Sequence, residues 1–360
     1  MSDKTNIEWT DATWNPLVGC SRVSAGCVNC YAERHAYRFA RQPGTVYEGT
    51  ARLVNGRPTF TGRVNLNERV LDLPLRWKRP RRIFVNSMSD LFHENVPDET
   101  IDRIFAVMAL APHHTFQVLT KRAERMREYC ASDATLGRIV AELARLTSGI
   151  DGVTNKLQHV DDGMRGFCFA NVWLGVSVED QDAADERIPL LLQTPAAVRF
   201  LSCEPLLGPV DLNRIHESGS MEGGGAWDSW ESCITGKRFD IWSDGEIDGF
   251  PRIDWVIAGG ESGPRARPMH PDWAISLRDQ CAAASVPFFF KQWGEYLPGS
   301  TDIEGTHKTW EPDLEHCALG QAPDYERVTV AFEHGCEFGR VGKHKAGRFL
   351  DGNTHSEFPA

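Results

Sequence analysis

The chain has 360 residues, 41% of them hydrophobic and 25% charged, the balance of an ordinary globular protein. Its net charge of −11 excludes a surface that coats nucleic acid throughout, though not a local basic groove. No apolar run reaches the roughly 18 residues of a membrane helix, and the polar opening Met1–Asn6 lacks the apolar core of a signal peptide, so a cytoplasmic protein is expected.

Taken in chain order, the first distinctive feature is a loop bearing Cys20, Cys27 and Cys30 in the spacing C-x6-C-x2-C, with no fourth cysteine nearby. A structural zinc wants four ligands, and an electron-transfer iron–sulfur cluster wants four cysteines. Three thiolates suit a four-iron cluster with one iron left open to bind a small molecule. The other seven cysteines are scattered singly and read as small buried hydrophobes.

A basic run follows, Arg76-Trp77-Lys78-Arg79-Pro80-Arg81-Arg82, whose cations around a tryptophan suit a phosphate backbone with base stacking, or else a solvated surface. Beyond it lie short apolar runs at Ile83–Asn86, Thr115–Thr120, Val172–Ser177, Val198–Ser202, Trp255–Gly259 and Pro287–Lys291. Several are apolar at consecutive positions, as in parallel strands buried on both faces. Amphipathic stretches at Pro97–Leu110, Ala123–Cys130, Asp182–Leu192 and Pro271–Ala284 read as helices between them. Strand then helix, repeated about six times, predicts an α/β fold built as a (β/α) barrel, partial and six-stranded. Residues 132–170, with a linker around Asp161-Asp162-Gly163, and residues 213–250, with Gly223–Gly225, read as insertions in a barrel spanning 1–298. Residues 299–360 read as a C-terminal extension, irregular in parts and packed on the barrel.

Barrel chemistry gathers at the C-terminal ends of strands, and here each end is polar: Asn86, Ser87 and Asp90; Lys121; Ser177 and Glu179; Cys203 and Glu204; Gly259, Gly260 and Glu261; Lys291 and Gln292. Together they are expected to line one cavity facing the cysteine loop. Gly259 and Gly260 would let backbone approach a ligand, or simply make a turn. Cys203 could give a hydrogen atom to a substrate radical, or could be a packing thiol.

The loop, together with Phe84–Phe92, Leu119-Thr-Lys-Arg122, Gly175–Glu179, Leu201–Leu206 and Gly259–Gly263, resembles phage-associated three-cysteine proteins of the radical S-adenosylmethionine (SAM) superfamily over about residues 5–297. The superfamily's usual loop is C-x3-C-x2-C; here six residues separate the first two cysteines. The resemblance implies that Cys20, Cys27 and Cys30 hold a [4Fe-4S] cluster whose fourth iron binds SAM. It implies one-electron cleavage of SAM to a 5′-deoxyadenosyl radical, with the electron coming from a partner such as flavodoxin or ferredoxin. Lys121 and Ser177 would then hold the methionyl carboxylate and amino groups, with Asn86, Ser87, Glu179, Gly259, Gly260 and Glu261 as further cofactor contacts. Cys203 and Glu204 are the catalytic candidates. With the basic run, phage kinship points to a DNA substrate, a hypermodified thymine rearranged or otherwise modified, by an isomerase, transferase or lyase. Three alternatives stay open: radical chemistry on another substrate, a non-catalytic zinc module using His35 as fourth ligand, and a barrel hydrolase using Asp90, Glu179, Glu204 or Glu261 as acid and base.

Overall fold

A computed structural model describes residues 5–148, 168–220, 226–240, 246–247, 249–301, 307–309, 326–329 and 337–359. The linker around Asp161–Gly163 and the glycines Gly223–Gly225 lie outside these. The chain divides into two compact units, one comprising Met1–Val176 with Leu190–Phe200, the other Ser177–Pro189 with Leu201–Ala360.

The first unit opens with β1 (Ala12–Trp14) and β2 (Leu17–Val18), then helix α1 (Tyr31–Phe39) and a hairpin of β3 (Ala51–Val54) and β4 (Arg57–Phe60). β5 (Asn65–Leu66) pairs with β2. After α2 (Leu73–Arg76) come β6 (Arg82–Val85), α3 (Asp98–Leu110), β7 (Thr115–Thr120), α4 (Ala123–Ala131), α5 (Asp133–Thr147) and β8 (Val172–Ser177). The chain continues through α6 (Gln181–Gln193) and β9 (Val198–Cys203).

The second unit carries a four-stranded antiparallel sheet of β10 (Ile215–Ser220), β11 (Ala226–Ser232), β12 (Lys237–Asp240) and β13 (Glu246–Ile247), within the 213–250 insertion. Then follow β14 (Trp255–Gly259), α7 (Pro271–Ala284) and β15 (Phe288–Gln292). β16 (Tyr296–Thr301), β17 (His307–Thr309), β18 (Glu326–Thr329) and β19 (Glu337–Arg340) make another antiparallel sheet. The tail after Leu350 ties down β15: the Phe290 amide donates to the His355 carbonyl at 3.0 Å, and Trp255 Nε1 donates to the Glu357 carbonyl at 2.8 Å. An edge strand covered in this way cannot pair with another chain.

The main sheet has seven strands in the order β1-β6-β7-β8-β9-β14-β15, one more than expected. The added strand is β1, three residues long, too short to show as an apolar run; it pairs in parallel with β6 from Ala12↔Ile83 to Trp14↔Val85. The β6–β7, β7–β8 and β14–β15 pairings are also parallel. The consecutive apolar positions are buried as the sequence implies. Ile83, Val85, Phe116, Val118, Leu174 and Val176 are all at most 2% exposed, as are Ile101, Ile104 and Phe105 of α3. Each such side chain contributes about 1.5–3 kcal/mol of burial free energy. On the opposite side of the strands, Phe84 stands level with Gln117 and Gln117 with Trp173. Gln117 is fully buried, its Nε2 donates weakly to the Trp9 carbonyl at 3.4 Å, and its Oε1 has no partner.

Candidate metal centre

The cysteine loop enters through Gly19. Its φ of +100° and the Arg63 carbonyl, 2.1 Å from where a Cβ would stand, leave room for glycine alone. Gly19 donates its amide to the Met88 carbonyl, and the Cys20 carbonyl accepts from Gly62, so the loop hangs between two neighbouring segments. A short turn of 3-10 helix, Ala25–Cys27, precedes Cys30, which caps the start of α1. Arg22, inside the six-residue gap, makes a two-pronged ion pair with the buried Glu33 of α1, at 2.8 and 2.5 Å. The clamp thus ties the six-residue gap to the first turn of α1.

Each sulfur has a polar neighbour. Arg122 Nη1 donates to Cys20 Sγ at 3.7 Å, and Ser24 Oγ lies 3.8 Å from Cys27 Sγ. Burial pushes the Cys20 thiol up to about 12, with Asp90 adding and Arg122 opposing. Burial also raises Cys30, while the amides of Ala32 and Glu33 pull it down and Cys27 pushes it up. The three thiols thus feel one another, Cys20 through Cys30 and Cys30 through Cys27. Loading any metal here must release protons, since the thiolate is the ligand.

Among the described residues no group of three His, Cys, Asp or Glu side chains is spaced to hold a single metal ion. His35 packs its ring against Phe39 and Tyr47, with centroids 5.5 and 5.8 Å away. The donor set is three thiols on one short loop, with Arg122 beside Cys20, Ser24 beside Cys27 and the Ala32 and Glu33 amides beside Cys30.

Around the loop stand the ends of β6 and β7. Asn86 has φ +61° and is 3% exposed; its Oδ1 accepts from the Leu17 amide at 3.2 Å, and its Nδ2 is buried with no partner. Ser87 Oγ donates to Asn15 Oδ1, and the Ser87 carbonyl accepts from the Tyr31 hydroxyl at 2.7 Å. Asp90 is fixed by the Thr120 hydroxyl at 2.7 Å, the Lys121 amide at 3.1 Å and Arg122 at 3.1 Å. Arg122 also reaches Glu94 at 2.8 Å and Ser21 Oγ at 2.7 Å. His93 is fully buried and its Nδ1 accepts the Asn95 amide, so the neutral ring carries its proton on Nε2, 2.9 Å from Ser21 Oγ. Arg122, which in the sequence is only the last residue of the Leu119–Arg122 phrase, is a hub whose role depends on four partners far from it in the chain.

The second unit's strand ends are mostly internal pairs. Glu179 and Arg187, 1% and 3% exposed, meet at 2.8 Å, and the Arg187 guanidinium also donates to the Ser177 carbonyl. Glu261 holds Arg267 at 2.7 and 2.9 Å. Glu204 accepts twice from Lys291, at 2.6 and 2.7 Å, beside Gln292, whose Oε1 is buried without a partner. Cys203 is fully buried, and burial pushes its thiol well above the usual value, with Cys281 adding. The space beside Gly260 is filled by the chain itself: a Cβ there would stand 1.9 Å from the Trp293 carbonyl oxygen, and beside Gly259 one would meet Lys291 Cβ at 3.3 Å. These glycines admit the β15 backbone.

The basic run disperses. Arg76 pairs with Asp72 at 2.6 Å, Arg82 with Asp11 at 3.5 Å, and Trp77 is 8% exposed beneath Arg81, whose guanidinium lies 4.8 Å from the ring centroid. Trp77 is therefore no stacking platform for a base. Among the described residues no helix is long and apolar enough to cross a membrane.

No curated protein and no solved structure matches the chain. A family of proteins of unknown function, DUF5131, matches residues 4–359, so the chain belongs to that family along almost its whole length.

Proposed function

We propose that the protein is a radical SAM enzyme whose strand–helix alternation forms a partial barrel of that type, and that it modifies or rearranges a nucleobase, a hypermodified thymine, in phage DNA. The observation that carries the reading is the cysteine loop: three thiols on one short clamped segment, each with a polar neighbour and with no fourth cysteine near. Cys20, Cys27 and Cys30 would hold a [4Fe-4S] cluster. When bound, the cluster and SAM supply a carbon radical able to take hydrogen from an unactivated C–H bond.

The chain's own residues do the rest. Arg122 orients the Cys20 sulfur and neutralises Asp90 beside it. The unpartnered Asn86 Nδ2 is a donor awaiting an acceptor atom, which a SAM carboxylate or ribose hydroxyl would provide. By the resemblance alone, Lys121 and Ser177 stay the candidates for the methionyl end, with Ser87, Glu179 and Glu261 as further candidates; Gly259 and Gly260 serve the chain's own packing. The internal pairs of Glu179 and Glu261 favour a positioning role for those two. Cys203, held protonated by burial, keeps the S–H that a hydrogen-atom donor needs, with Glu204 beside it in sequence. The electron would come from flavodoxin or ferredoxin.

The test is anaerobic reconstitution with iron and sulfide, then SAM, dithionite and thymine-modified phage DNA. A brown protein that releases 5′-deoxyadenosine, and a colourless Cys27→Ala variant that does not, are expected. A colourless wild type with stoichiometric zinc, or full activity in Cys27→Ala, would overturn the reading.

A further inference from the structure

The segment 20–63 carries seven arginines and no lysine against two glutamates, inside a chain of net charge −11. Both glutamates are occupied: Glu33 by Arg22, and Glu48 by the Gly44 amide at 2.8 Å. α1 turns Ala32, Ala36 and Ala40 into a core with Val18, Ala51 and Met88. That leaves Tyr31, Arg34, His35 and Arg38, at the i, i+3, i+4, i+7 spacing of one helix face, on the opposite side, with Arg41 just past the helix end. The hairpin packed beside α1 adds exposed Arg52 and Arg57. Among the described residues the guanidinium groups of Arg34, Arg38, Arg41, Arg52 and Arg57 form no ion pair.

Apolar and aromatic surface is interleaved with these cations. Of the seven large hydrophobic side chains most exposed among the described residues, five lie here: Val23, Val28, Tyr31, Leu53 and Val54, each 38–51% exposed. Unpaired planar cations alternating with ring and aliphatic faces match a polyanion that also offers flat apolar surface, which is what a nucleic acid strand is. An acidic protein would supply the charge without the flat faces. Arg34 to Arg41 spans about 10 Å of helix rise, or about three nucleotides of a strand.

We propose that this arginine face, α1 with the β3–β4 hairpin, binds the phosphate backbone of the DNA substrate. This rests on the nucleic-acid reading above. Cys30 immediately precedes α1, so a strand lying along Arg34, Arg38 and Arg41 has one end at the cysteine loop. The face differs from the run at 76–82, where two cations are already paired and the tryptophan is covered.

The test is fluorescence anisotropy of the full-length reconstituted protein with a labelled thymine-rich oligonucleotide, single-stranded and duplex, across a salt series. Arg34→Gln/Arg38→Gln/Arg41→Gln should bind about tenfold or more weakly, with the log–log salt slope reduced by about 2–3. Lys78→Gln/Arg79→Gln should bind like the wild type. Circular dichroism checks that the variants fold, and Arg52→Gln/Arg57→Gln gives an independent reading from the hairpin. If both arginine variants fold and bind as the wild type does, the face is wrong while the DNA reading survives. If the wild type binds no DNA, the proposal is overturned and the DNA substrate falls with it.

Discussion

The guanidinium of Arg122 reaches the Cys20 sulfur at 3.7 Å while the same group pairs with Asp90 at 3.1 Å. The Arg122 and Asp90 side chains are 9% and 8% exposed, so one cation serves both a thiol and a buried carboxylate. Removing it leaves Asp90 charged and under-compensated, which costs about 3 kcal/mol for a pair this buried. Arg122→Gln should lower urea stability by that order, and Asp90→Asn/Arg122→Gln should recover part of it. If the double variant is no more stable than the single, the buried charge is not the cause.

Under the proposed reading, the same contact predicts an effect on the cluster. With the cation gone, a thiolate at Cys20 loses its charge-assisted donor. Reconstituted Arg122→Gln should lose iron to a chelator faster than the wild type, followed by absorbance near 400 nm. Equal rates would reduce Arg122 to a structural role.

Asn86 holds a positive φ that glycine accepts without strain, so Asn86→Gly isolates its side chain. The variant should fold and bind SAM about tenfold more weakly in equilibrium dialysis, the loss of about one hydrogen bond. Unchanged affinity would remove Asn86 from the cofactor contacts.

Gly260 has no room for a side chain. Gly260→Ala forces Cβ onto the Trp293 carbonyl, and a loss of about 3 kcal/mol or more in chemical denaturation is expected. A near-neutral result would show that β14 and β15 can part at little cost.

His114 is 1% exposed and lacks a partner at Nδ1. Burial, with His113 adding, holds it below its usual 6.5. The unfolded chain therefore takes up the proton first, so the stabilisation is full above 6.5 and is lost as pH falls through the lowered value. His114→Phe should flatten the stability profile below pH 6.5, where the unfolded chain's imidazole takes up its proton. Parallel profiles would assign the acid loss elsewhere.

Much of the sheet was legible because buried parallel strands are apolar at consecutive positions. Thr115–Thr120, Val172–Ser177 and Trp255–Gly259 fall where the sequence puts them, as does the helix Pro271–Ala284. β1 was not, since three residues carry no period. The cysteine loop was legible as a spacing of three thiols, and the structure places all three on one short segment. The Arg122 hub and the arginine face were not. The first joins residues from the loop, the β6 end and the β7 end, and the second gathers single arginines scattered between positions 34 and 57, none of which forms a run. The run that did stand out, 76–82, is largely consumed by its own neighbours.

The clamp between Arg22 and Glu33 does not depend on any ligand of the cysteines. A loop closed only by its metal must be ordered at the moment of loading, and the ordering entropy is subtracted from the affinity. Here the ordering belongs to folding, through an ion pair and a glycine that accepts no substitute. The loop is thus a standing mould: under the reading proposed above, a cluster would bind to a shape that the chain already holds.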